Sequence, residues 1–223
     1  MKKETSDIAP PRPRGTFSLF FMYFRECFNP ERRGIPLYLN PLDIPRYFEE
    51  NRFWGRIPES MLPSRPWLNY DLVRWVERKK PATVLEWGAG ASTLWLAKIS
   101  RRVVSIEHSP EWYSAVEKRL SIEKTNRVEL NLVEERSNYV AMISCFKPPE
   151  PELILIDGLW RSDCFLAALP ALLRGTQIII HDSNNPEVIE ALRKIPQGLI
   201  CLKRFGPCHG IKNFRAWSLL KKA

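Results

Sequence analysis

The sequence predicts an α/β protein: a doubly wound, mostly parallel sheet of about seven strands with an antiparallel C-terminal hairpin, preceded by a loop-rich N-terminal cap. Three observations carry this. Short apolar runs alternate with stretches of helical period from residue 67 to residue 223. Two of the runs, Leu153-Ile154-Leu155-Ile156 and Ile178-Ile179-Ile180, are apolar at every position, as in strands covered on both faces. Between the first run and its helix stands Glu86-Trp87-Gly88-Ala89-Gly90, where the chain turns sharply and needs residues without a Cβ.

Residues 1–66 read as an arm or cap distinct from the domain at 67–223. They hold ten prolines, from Pro10 to Pro66, which fix φ and donate no hydrogen bond, so long regular elements are not expected. Tyr38, Tyr47, Phe48, Phe53 and Trp54 recur between the prolines, and a disordered segment is poor in such residues. An ordered wrap over the domain follows, with about ten frayed residues at its start. The apolar run Phe17–Phe24 falls far short of the ~20 residues of a spanning helix and lacks the small-residue cleavage pattern of a signal peptide. It reads as a docked strand or helix. A membrane-surface anchor flanked by Arg12, Arg14 and Arg25, giving peripheral contact through residues 17–54, is the alternative.

From there the elements follow in order. Apolar residues at 68, 72, 73, 75 and 76 predict a helix over 68–79. Strands are predicted at 83–87, 102–107, 128–133, 152–157 and 177–181, with helices at 91–100, 110–121, 136–145, 161–173 and near 186–194. Two last strands, 199–205 and 214–220, are joined by a segment too short for a helical crossover and must pair antiparallel.

Composition bounds the function loosely. Lys and Arg number 34 against 25 Asp and Glu, a formal charge of +9, yet the excess is spread: 11 to 8 in residues 1–66 and 23 to 17 beyond. No basic tail is present, which disfavours a nucleic-acid partner without excluding it. Five cysteines, odd in number and with no CxxC pair, point to a reducing, cytoplasmic compartment. Oligomeric state is not legible.

The chemistry gathers where the strands end. Ligands of open α/β sheets bind at the carboxyl edge. There the sequence puts Glu86, Glu107, Glu134 with Glu135, Asp157, and His181 with Asp182. Glu107 lies 17 residues after Gly90, close to the offset at which a carboxylate receives the hydroxyls of an adenosine ribose. A dinucleotide would bring an anionic pyrophosphate to the glycine turn, against Glu86. S-adenosylmethionine has no phosphate and carries an ammonium and a sulfonium instead. Thr93 also stands where the third glycine of a dinucleotide fingerprint would fall. S-adenosylmethionine is therefore the expected cofactor.

With these residues in place, positions 68–220 resemble a class I S-adenosylmethionine-dependent methyltransferase. The likeness rests on Glu86-Trp87-Gly88-Ala89-Gly90, Glu107, Ile156-Asp157-Gly158 and the terminal hairpin. It implies cofactor contacts from Glu86, Gly88, Ala89, Gly90, Ser92, Thr93, Glu107 and Asp157, with His108 beside the ribose and Glu134 or Glu135 near the adenine. Ser92 departs from the commoner glycine, and its hydroxyl can cap a helix start.

Methyl transfer to a hydroxyl needs the acceptor held in line and its proton removed. Two mechanisms are open. Asp157, His181 and Asp182 could ligate a divalent cation such as magnesium, similar to catechol-type and macrocin-type O-methyltransferases, although those commonly have an acid at the place of His181. Alternatively His181 is a metal-free base oriented by an acid. Arg161 could meet an anionic acceptor, Trp160 could wall the acceptor pocket, and the loop with His209 could act with the arm as a lid. O-methylation of a small molecule or saccharide is the expected reaction. The rivals are an RNA methyltransferase, an aminopropyltransferase of similar fold, and a catalytically silent scaffold or membrane-surface adaptor.

Overall fold

Five strands, β1 (Thr83–Trp87), β2 (Arg102–Glu107), β3 (Val128–Leu132), β4 (Leu153–Ile156) and β5 (Gln177–His181), lie parallel in the computed structural model. β6 (Leu199–Cys208) and β7 (Ile211–Lys222) complete the sheet as an antiparallel pair, β7 docking against β5. The order is β3-β2-β1-β4-β5-β7-β6. The connection reverses direction between β1 and β4, which opens a crevice at their carboxyl ends. The structure describes residues 16–51, 65–147, 150–173 and 176–223.

Helices cover both faces, as the all-apolar strands require. Val84, Val103, Leu155 and Ile179 pack under α3 (Tyr70–Lys79) and α4 (Ala91–Ile99), through Leu72, Val76, Trp95 and Leu96. Leu85, Ile106, Ile154 and Ile180 point the other way, to Tyr139 of α6 (Arg136–Ala141), Phe165 of α7 (Arg161–Leu173) and Val188 of α8 (Pro186–Leu192). Helix α5 (Pro110–Glu123) flanks β2 and β3, starting at Ser109, whose hydroxyl accepts from the Trp112 N–H at 3.2 Å.

The N-terminal segment is more regular than its prolines predict. Thr16–Cys27 forms a helix, α1, and Ile44–Asn51 forms α2, joined by 3₁₀ turns at Pro30–Arg32 and Pro41–Asp43. The physical reason is position. No proline falls between Pro13 and Pro30, and Pro30, Pro41 and Pro45 sit at helix starts, where the missing N–H is not needed. Asn29 and Asn40 cap the two turns, accepting from Glu31 N–H at 2.9 Å and Leu42 N–H at 3.1 Å. The segment docks on the hairpin through Tyr23, Ile35, Tyr47, Tyr70, Phe205 and Phe214. Phe53, Trp54, Arg12 and Arg14, invoked above, lie outside the described residues.

The hairpin differs too. Its strands run on to Cys208 and Ile211, leaving only His209 and Gly210 as the turn. The expected loop between residues 205 and 214 is strand instead, because Asn69 holds it from below, its amide donating to Gly206 O and Arg215 O at 2.9 Å each.

Candidate active site

A cavity of about 530 Å³ opens at the carboxyl edge of β1, β2 and β4. Its walls are the turn Gly88–Ser92, the segment Glu107–Ser109 after β2, Trp112 of α5, Trp67, and Asp157-Gly158-Leu159 with Arg161.

The first wall depends on a close approach of two backbones. Gly88 sits at φ +98°, and a Cβ there would meet Gly158 N at 2.5 Å. A Cβ on Gly158 would fall 2.1 Å from the Tyr139 hydroxyl. Both positions need glycine for space, and Gly88 for conformation as well. The turn then enters α4, with Gly90 N–H donating to Thr93 Oγ1 at 2.9 Å.

Glu86 lies beneath this turn rather than in it. It is fully buried and does not line the cavity. Its Oε2 accepts from Thr93 Oγ1 at 2.6 Å and from the Ser105 hydroxyl. Burial pushes its pKa up to about 7, against the opposing hydroxyls of Ser105, Ser92 and Thr93. Glu86, expected among the cofactor contacts, is thus placed behind the wall and apart from the cavity. β-strand alternation turns it toward α4, where it steadies the glycine turn through Thr93, itself also behind the wall.

Glu107 is nearly buried and stands on the cavity wall. Its Oε1 accepts from the N–H groups of His108 and Ser109, both at 2.9 Å, so the carboxylate is fixed in orientation. His108 also lines the cavity, its Nδ1 2.9 Å from Glu107 Oε1 but not aligned for a hydrogen bond. Glu134 and Glu135 are exposed and absent from the walls. Glu135 turns back to cap α6, accepting from Ser137 N–H and Asn138 N–H at 2.9 Å. The structure therefore places neither residue on the wall where an adenine contact was expected. Trp112, which sequence reasoning missed, instead faces the turn, its Nε1–H donating to Ala89 O. Nothing in its helical spacing distinguishes it from a surface tryptophan.

Behind the wall formed by Asp157, the residues Asp157, His181 and Asp182 come together, with ligand atoms within 4.8 Å of one another, and of the three only Asp157 lines the cavity. His181 Nδ1 lies 2.9 Å from Asp157 Oδ1. Arg161 Nη2 lies 3.2 Å from Asp157 Oδ1 and 3.6 Å from Asp182 Oδ2, and Arg215 Nη1 lies 3.4 Å from Asp182 Oδ1. Two guanidinium groups thus balance two carboxylates. A divalent cation among these ligand atoms would have to compete with both guanidinium groups for the carboxylates. Burial lowers the pKa of His181, but Asp157 and Asp182 outweigh it and the net shift is upward. Burial likewise works against the Asp157 carboxylate, yet His181 and Arg161 hold it below its ordinary value. His181 Nε2 is buried and has no partner among the described residues.

Two further expectations change. Trp160 packs on Tyr139 and His108, with ring centroids 5.3 and 6.2 Å apart, and is not on the cavity wall. His209 is buried at the hairpin tip, its Nδ1 3.2 Å from Glu50, so it anchors the tip rather than serving as a mobile lid. Beside it Gly210 abuts Trp67, whose ring lies 6.3 Å from that of Trp112.

No family model and no curated protein matches the sequence. Solved structures do. An O-methyltransferase from Bacillus cereus in complex with SAH (S-adenosylhomocysteine) superposes with a TM-score of 0.59 at 17% identity, over 92% of this chain and all of that one. An rRNA methylase from Streptococcus thermophilus gives 0.50 at 18%, over 68% and 92%. Precorrin 8w decarboxylase from Methanobacterium thermoautotrophicum gives 0.52 at 18%, over 72% and 95%. At such identities the likeness establishes the class I methyltransferase fold, and the different activities carried by that one fold show why it establishes no more.

Proposed function

We propose that this chain is an S-adenosylmethionine-dependent methyltransferase that methylates an oxygen of a small molecule or saccharide without a metal. The observation that carries the reading is the charge of the cavity. Its walls hold two carboxylates, Glu107 and Asp157, against one guanidinium, Arg161, already engaged with Asp157 and Asp182. Such walls suit a nucleoside bearing a cation and repel a pyrophosphate. When bound, the cofactor supplies an electrophilic methyl group. Glu107 would orient the ribose hydroxyls, and Gly88–Ser92 would admit the rest against bare backbone.

Asp157 accepts the Nδ1–H of His181, which fixes the tautomer and leaves Nε2 as the proton acceptor for a hydroxyl. Because the His181 pKa is raised, the base form grows as the pH climbs past its ordinary value of 6.5. The preference for an O-methyltransferase reading over an rRNA methylase has support in coverage. The likeness to the Bacillus cereus enzyme takes in 92% of this chain, which cannot be reached without residues before 67, whereas the rRNA methylase matches 68%.

Titration calorimetry tests the reading. Micromolar binding of S-adenosylmethionine or its demethylated product is expected, unchanged by a metal chelator. Glu107→Ala should weaken it by ~1–3 kcal/mol through lost charge-assisted hydrogen bonds. Absence of binding by either ligand would remove the proposal, and loss of binding on chelation would restore the metal.

A further inference from the structure

Helix α1 is apolar on two faces, and only one of them is packed. Leu19 and Tyr23 are buried on that side, against the N-terminal cap and β7. On the other side Phe17, Phe20, Phe21 and Phe24, continued by Phe28, are 55–84% exposed. Their spacing of three and four residues lines them along one face. Among the described residues nothing covers this stripe. Taking about 200 Å² per aromatic side chain, the rings show on the order of 650 Å², more than the ~300–600 Å² of the largest patch on an ordinary monomer.

The charges around it are mostly basic. The only acid of α1, Glu26, is buried, where it accepts from Asn29 Nδ2 at 3.0 Å and Phe214 N–H at 3.1 Å. Arg25, with 62% of its side chain exposed despite its contact with Glu26, stands in the last turn. Arg32 and the exposed Arg33 follow, against a single Glu31. In the sequence Lys2, Lys3, Arg12 and Arg14 precede the helix, against Glu4 and Asp7.

We infer that α1 is a docking face for an anionic lipid surface, its phenylalanine stripe lying in the interface and the arginines meeting the headgroups. Twelve residues of helix span about 18 Å, too short to cross a hydrocarbon layer of ~30 Å, so the helix lies along the surface. A second copy of the chain fits less well, since the stripe falls below the ~800 Å² that each partner gives to a stable interface. The face is separate from the cavity, and its occupancy does not depend on the methyltransferase reading.

Flotation of the full chain with vesicles decides it. The protein should float with vesicles of phosphatidylcholine and phosphatidylserine and much less with phosphatidylcholine alone. Phe20→Ser with Phe24→Ser should reduce flotation roughly tenfold, and Arg25→Gln with Arg33→Gln should abolish the preference for the anionic lipid, both with an unchanged melting temperature. Equal flotation of wild type and the phenylalanine variant would overturn the inference. So would absence of flotation, whether the protein is then a monomer or a dimer that the same variant dissociates.

Discussion

Glu86 shows how far a single residue's role depends on which way its strand faces. Its position two residues before Gly88 was readable, but its direction needed the sheet. Buried under α4, it holds a proton more tightly in the folded chain, at about 7 against 4.5 for the free carboxyl. A raised carboxyl pKa stabilises the fold at low pH. That contribution is complete below about 4.5 and is lost as the pH rises through about 7. Glu86→Gln removes the titration while keeping an oxygen for Thr93 and Ser105. Relative to that variant, the wild type should lose roughly 2–4 kcal/mol of unfolding free energy between pH 4 and pH 8. Urea melts of both proteins across that range would measure it, and parallel pH profiles would assign Glu86 an ordinary pKa. Asp157 and His181 carry the same lesson. Each was visible as polar at a strand end, while the guanidinium groups that neutralise the cluster, one from α7 and one from β7, are brought in only by the fold.

Among elements, the contact of two turns matters most. The turn after β1 and the turn after β4 meet at Gly88 and Gly158, backbone on backbone, because β1 and β4 are neighbours in register, Trp87 beside Ile156. Gly158→Ala forces a methyl into the Tyr139 hydroxyl and Gly88→Ala adds a strained φ, so each should cost about 2–4 kcal/mol and weaken cofactor binding. Denaturant unfolding reads the first effect and calorimetry the second; a neutral Gly158→Ala would mean the turns have room to part. The strands of the parallel sheet were legible to within a residue, since their apolar runs have no other use. The hairpin was legible as an antiparallel pair but not in its length, because the residues between 205 and 214 carry turn composition, and those flanking His209-Gly210 become strand only by pairing with each other and with Asn69. Helix α1 was obscured by the prolines around it.

At the scale of the molecule, the N-terminal cap is tied to the sheet by ion pairs as well as by aromatic packing. Arg74 of α3 grips Asp43 with both nitrogens, one of them at 2.8 Å from Oδ2. Arg204 pairs with Asp71 at 3.1 Å and lies 4.1 Å from the Tyr38 ring centroid. Asp43→Ala should therefore lower stability by about 1–2 kcal/mol, the lower end of a buried pair because Arg74 is a third exposed. Urea denaturation would show it, and a shift below ~0.5 kcal/mol would make the tie incidental. Local pattern alone determined the doubly wound sheet, its glycine turn and the line of acids at its edge, because hydrophobic period and backbone sterics act over a few residues. Which acid faces the cavity, which lies beneath it and which caps a helix was decided only by the tertiary structure. Side-chain direction, burial and the nearest opposite charge are properties of neighbours far apart in the chain.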